Sequence, residues 1–220
     1  MKFLLPTLTS VVLACGAIAQ TQTFAMPGER GSSMLAAFDM SNFTSPGWVV
    51  VNYGQPTWKP EYEAMADKLK GKSARLGKDF WTTLEASVDL TLGTTKVPAG
   101  YYYLAIKCST KGDWSLLLLD SAEARKHKLL PNMTEKIVAE GTVKSILEVP
   151  MTYAKTEKTV EKMTLTLTAD EGKLGSGSFA IAWGPHQVSA NVACEIAADA
   201  KKGNTKDAAG DKKEAAPAKK

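Results

Sequence analysis

The chain has 220 residues, 44% of them apolar, with 27 Lys and Arg against 23 Asp and Glu, three Cys and two His. That composition is too apolar for a disordered polymer and too charged for a bundle of membrane helices. The formal charge of +4 matches the excess within residues 201–220, which hold seven Lys and three acids. The body from 20 to 200 is therefore close to neutral, without the concentrated basic surface that nucleic-acid binding requires.

The chain opens with Met1-Lys2, an apolar stretch from Phe3 to Cys15, and Ala17-Ile18-Ala19 before Gln20. This is the pattern of a secretory signal peptide over residues 1–19, and it implies an exported, periplasmic or extracellular protein. Val12-Leu13-Ala14-Cys15-Gly16 also reads as a lipobox, in which Cys15 would carry a lipid anchor, and the two readings stay open. Beyond residue 19 no apolar run reaches the ~18 residues of a membrane span.

Residues 20–33 are polar and punctuated by Gly and Pro, which predicts an exposed lead-in to a single domain over 34–199. Gly47–Tyr53 is the first strand. Pro60 to Gly71 has Pro in its first turn, acids early, Lys late and Gly at its end, the polarity of a helix. Ala86–Leu92, Tyr101–Cys108 and Trp114–Leu119 are short β-branched or aromatic runs bounded by Gly, Pro or Asp, which is strand grammar. A second short helix is predicted from Ser121 to Leu130, capped by Asp120 or Ser121 and stopped by Pro131.

Strands follow at Ile146–Tyr153, Met163–Thr168, Ser178–Trp183 and Gln187–Ile196, and the strict alternation of Met163-Thr-Leu-Thr-Leu-Thr168 buries one face and wets the other. Strands at this density, without βαβ alternation, predict a mainly β fold: a single antiparallel β-sandwich with two short peripheral helices. Residues 200–220 contain no branched apolar or aromatic side chain and predict a disordered Lys/Ala-rich tail, able to touch anionic surfaces weakly.

Cys108 and Cys194 form an even pair in a chain expected to be exported, so a disulfide between them is predicted. A zinc site joining them to His127 and His186 lacks the close ligand spacing of such motifs, and no metal is expected. His127 lies between two Lys on a solvated face, and His186, after Gly184-Pro185, reads as a turn residue. No Walker loop, dinucleotide fingerprint, H-E-x-x-H or G-x-S-x-G elbow is present, and no cofactor is expected. The aromatic residues crowd into one half: ten lie from Trp48 to Trp114, against Tyr153, Phe179 and Trp183 in the half that follows. Such clusters fill cores and also build binding platforms.

The landmarks Tyr53-Gly54-Gln55-Pro56, Gly77, Phe80-Trp81, Glu85-Ala86, Val97-Pro98-Ala99-Gly100-Tyr101, Leu104 and Trp114-Ser115-Leu116 come in an order that resembles the bacterial domain of unknown function 2911 family. Phe179-Ala-Ile-Ala-Trp183 is similar to the closing strands of that family, and the resemblance spans residues 47–196. It implies export and a β-sandwich but names no reaction. Gln55 stands where the family usually has Arg, and Thr82-Thr83-Leu84 replaces its Arg-Thr-Gly-Ala-Asn stretch. Arg75, one of three Arg in the chain, is the candidate to replace the missing guanidinium.

These positions make Tyr53, Arg75, Trp81, Glu85 and Tyr102 the candidate binding residues of a non-catalytic envelope protein, whose partner would be a small ligand, a glycan or another envelope protein. The competing expectation is a hydrolase of a glycan or ester, with Glu85 and Asp79 as its acid and base.

Overall fold

The computed structural model describes residues 29–129 and 133–196. The signal segment with Cys15, the stop at Pro131 and the Lys-rich tail lie outside the described residues. Ten strands are present among the described residues: β1 (Arg30–Asp39), β2 (Thr44–Gly54), β3 (Lys72–Arg75), β4 (Thr83–Ala86), β5 (Leu90–Leu92), β6 (Thr95–Val97), β7 (Gly100–Cys108), β8 (Trp114–Asp120), β9 (Ser145–Ala169) and β10 (Ser176–Cys194). They form one antiparallel sheet in the order β1-β2-β4-β7-β8-β9-β10-β5-β6, with β3 sharing the edge of β7 that β4 occupies. The mainly β, antiparallel architecture is the one expected, and its strands belong to a single continuous sheet.

That sheet curls over its own core. Ser33 Oγ of β1 accepts a hydrogen bond from the backbone N–H of Leu167 in β9 at 2.9 Å, although the two strands are distant in the pairing order. Side chains from both ends of the order, Val51 and Leu104 with Leu92, Leu165 and Phe179, meet in one buried cluster. Phe179 is fully buried there, so truncating it to Ala would cost about 3–5 kcal/mol.

The Leu116–Leu119 run shows why the central strands read as continuous apolar segments. Leu116 and Leu118 enter the main core, while Leu117 and Leu119 join Tyr103, Ala105 and Trp81 in a second cluster on the other face. Helices α2 (Ser121–Lys126) and α3 (Glu135–Ala139) cover that face through Ala124, Ile137 and Val138. Asp120 caps α2, its side chain accepting from the backbone N–H groups of Ala122 and Glu123.

Several expectations are corrected. Strand β1 begins at Arg30, inside the segment expected to be a lead-in, and its Leu35 and Ala37 are buried. The helix expected over 60–71 is a 3-10 turn at Pro60–Tyr62 followed by α1 (Met65–Lys68). Residues 86–92 divide between β4 and β5, which pair with different neighbours. The four late strands merge into two long ones, β9 and β10. Helix α3 and strands β1, β3 and β6 were not anticipated.

The disulfide is not formed: Cys108 and Cys194 are both free. Cys108 ends β7, whereas Cys194 lies next to Glu195, whose backbone N–H reaches Asp89, and Asp89 in turn accepts from Ala99 just before β7 begins. The two thiols thus sit at opposite ends of a nine-residue strand, about 26 Å apart at ~3.3 Å per residue, against the ~7 Å between Cα atoms that a disulfide tolerates.

Candidate functional site

The site grows from an interruption in the β9–β10 ladder. The register is regular from Gly177↔Ala169 to Ala182↔Thr164, then shifts twice, at Gly184↔Val160 and His186↔Lys155. Gly184 takes a φ of 61°, and a Cβ there would run into the indole of Trp58. The irregularity turns Trp183 and His186 toward a common space, as bulges beside sites commonly do.

Trp58 arrives from the other side. After β2 the chain runs along β9, with Trp58 N–H donating to Glu161 O at 2.6 Å and Met163 N–H to Pro56 O at 3.0 Å. Trp183 Nε1 also donates to Pro56 O, at 2.9 Å, which fixes its ring. Trp58 and Trp183 then meet edge to face with centroids 5.1 Å apart, and Tyr62 packs at 5.2 Å from Trp183. The result is a cavity of about 440 Å³, within the range of small-molecule sites, walled by Trp58, Tyr62, Trp114, Tyr153 and Trp183 and floored by Ile106, Met163, Ile181 and Val188.

Polar groups mark two parts of its rim. Tyr153 OH and His186 Nδ1 are hydrogen-bonded at 2.9 Å, the donor depending on the imidazole tautomer. His186 Nε2 lies 3.6 Å from Glu63, and Glu63 pairs with Lys155. That lysine's hydrogen bond holds the Glu63 carboxyl below its ordinary value. On the other side Arg75 donates from Nη2 to the carbonyls of Asp79 (2.9 Å) and Phe80 (3.0 Å), and burial pulls its guanidinium below the usual arginine range. Burial pushes the Glu135 carboxyl up, opposed by a hydrogen bond from the Arg75 backbone N–H and by the Arg75 charge. Arg75 Nε and His186 Nε2 are buried without a hydrogen-bond partner among the described residues.

Of the residues expected to bind, the cavity contains Arg75 alone. Tyr53 is buried in the main core, where Gly31 makes room for its ring. Tyr102 is also buried there, and its OH donates to Pro98 O at 2.7 Å, tying down the turn before β7. Trp81 stacks on Tyr103 on the opposite face of the sheet, with centroids 4.7 Å apart, and Arg125 lies over the Tyr103 ring. Glu85 is exposed on β4 beside Tyr101, and Asp79 contributes its carbonyl to Arg75. His186 lies within β10 and faces the cavity, where the sequence suggested a turn.

Among the residues that sequence reasoning missed, Trp183 and His186 flank the Gly184-Pro185 pair inside a strand pattern, and Tyr153 faces them from β9. A Gly within a strand is a bulge signal, and it pointed here.

Among the described residues lining the cavity there is no Ser, Thr, Cys or Asp, and Glu135 is the one carboxylate. Two-carboxylate glycoside chemistry would have to recruit Glu63, which lies at the rim paired with Lys155, and acyl transfer needs a nucleophile. Aromatic and aliphatic walls instead suit the burial of an apolar body. No group of three or more His, Cys, Asp or Glu that could hold a metal ion occurs among the described residues, nor is any described helix long and apolar enough to cross a membrane.

The family model for proteins of unknown function (DUF2911) matches residues 40–192. The chain belongs to that family. The matched segment contains every residue lining the cavity, from Pro56 to Val188. No curated protein and no solved structure matches the chain.

Proposed function

We propose that this chain is an exported envelope protein, periplasmic or extracellular, that binds a small apolar ligand in the aromatic cavity and has no catalytic activity of its own. The observation that carries the reading is the composition of the cavity wall: three Trp and two Tyr over an aliphatic floor, with a single carboxylate. At ~30 Å³ for each water-sized group, 440 Å³ accommodates a ligand of about 15 non-hydrogen atoms. Export is supported by the signal pattern at residues 1–19, and anchorage by a lipid on Cys15 is the variant of that pattern.

Three of the five Trp line the cavity, so occupancy is read by their fluorescence. Aryl compounds such as naphthalene should shift the emission and raise the melting temperature. The substitution Val188→Trp, which fills the floor, should remove both effects while the protein stays folded. Absence of any shift across a panel of apolar compounds would refute the reading. Turnover of model esters or glycosides, abolished by Glu135→Gln or His186→Phe, would favour the hydrolase instead.

A further inference from the structure

The β1–β2 hairpin carries large apolar side chains that the fold does not use. Phe38 is 61% exposed, Met40 74% and Phe43 87%, with Met34 on the same hairpin 54% exposed. Water-facing apolar residues scattered singly are ordinary, but three of these lie within six positions at one tip. Phe43 has a φ of 56°, in the left-handed region that bulky residues avoid.

The tip that presents these side chains is braced on both sides. Asp39 accepts from the backbone N–H of Ser41 at 2.9 Å and from its hydroxyl, and Asn42 accepts from the backbone N–H and the hydroxyl of Thr44. The backbone thus holds Phe43 at a positive φ while its ring stays 87% exposed. Asp39 is the one charged residue between Met34 and Gly47.

A second observation concerns the place where the chain leaves the described structure. A Cβ on Gly47 would come within 3.4 Å of Ile196, and Gly47 pairs with Ala37 near the hairpin tip. The segment with seven Lys and three acids begins five residues beyond Ile196. Ile196, from which that segment continues, therefore lies at the same end of the molecule as the apolar tip. The cavity lies toward the other end of β2, past Gly54, about 30 Å away along an eleven-residue strand.

From this pairing of a protruding apolar tip with a tethered basic segment, we propose that the β1–β2 hairpin is a membrane-docking element that inserts Phe38, Met40 and Phe43 into the surface of an anionic bilayer, with the Lys-rich segment drawn to the headgroups. A convex tip of flexible and aromatic side chains matches acyl chains, which need no complementary groove. Two weak signals acting together are what stable but reversible membrane attachment requires. Docked in this way, the molecule holds its cavity on the side away from the lipid.

The test uses residues 20–220, in sedimentation with phosphatidylglycerol or phosphatidylcholine vesicles. The full protein should bind phosphatidylglycerol vesicles at least about tenfold more tightly than phosphatidylcholine vesicles, and added salt should weaken that preference. The triple substitution Phe38→Ser, Met40→Ser and Phe43→Ser should reduce binding to phosphatidylglycerol about tenfold or more, with the circular dichroism spectrum unchanged. Because the triple variant changes the hairpin itself, insertion is also read directly. Phe43→Trp should add a fluorescence component that lipids brominated on the acyl chain quench.

Binding that survives the triple substitution but is lost on removing residues 197–220 would overturn the proposal, since the basic segment alone would then account for it. So would an unquenched Phe43→Trp signal on bound vesicles, or failure of the full protein to bind either vesicle. None of these outcomes depends on whether the cavity takes a ligand.

Discussion

Gly184 is where the backbone and the cavity constrain each other, so Gly184→Ala tests both. Its φ of 61° is left-handed, and placing an Ala there costs about 1–2 kcal/mol. The new methyl also meets the Trp58 indole, which is hemmed in by Trp183 at 5.1 Å and by His186 at 5.5 Å. Forcing extra volume into such packing costs about 1–3 kcal/mol more.

The sum, about 2–5 kcal/mol, is a large share of the 5–15 kcal/mol that a domain typically has. It corresponds to a fall of roughly 10 °C in melting temperature. Urea unfolding followed by Trp fluorescence measures it, and the native emission should also shift as Trp58 is displaced. Combining Gly184→Ala with Trp58→Leu separates the two contributions, since the smaller side chain relieves the collision and leaves only the backbone cost of about 1–2 kcal/mol. A stability change within about 0.5 kcal/mol for Gly184→Ala, the size of an ordinary surface substitution, would refute the reasoning.

Two other consequences are direct. Cys108 and Cys194 should both titrate as thiols with an aromatic disulfide reagent in denaturant and far more slowly in the native state, where burial raises both thiols, and reducing agent should leave the unfolding midpoint unchanged. Glu148 accepts from Lys107 Nζ at 2.9 and 3.1 Å, and this bond holds its carboxyl below its ordinary value of 4.5. The depressed folded value means that the pair stabilises above the unfolded carboxyl range and loses its effect as pH falls through the folded value. Glu148→Gln should therefore cost up to about 1 kcal/mol at neutral pH, as for a partly exposed pair, and the difference from the parent should shrink steadily as acidification protonates the folded carboxyl. A difference that grows on acidification would contradict the sign.

Local pattern alone was enough to identify the strands at the centre of the fold. Tyr101–Cys108 and Trp114–Leu119 have apolar residues at successive positions, which neither a half-wet strand nor a short surface helix tolerates, and the structure buries both faces of each. The helix cap was legible to within one residue, Asp120 or Ser121, because a cap acts within three residues, and the structure selects Asp120. What reached beyond a few neighbours was not legible. The Cys108–Cys194 pairing looked sound by count and failed by distance, because sequence separation says nothing about which ends of the strands meet.

Glu85 and Tyr53 both belong to the family landmarks, yet the pleat sends Tyr53 inward and Glu85 to solvent. The cavity itself depends on Trp58, Tyr153, Trp183 and His186, drawn from three segments that converge only because the β9–β10 ladder slips at Gly184 and the chain after β2 pairs with β9. Chain order displays a strand's own alternation, since that is set by neighbouring residues. The choice of strand to lie beside it, and so the walls of the site, is decided by packing the whole sheet around one core.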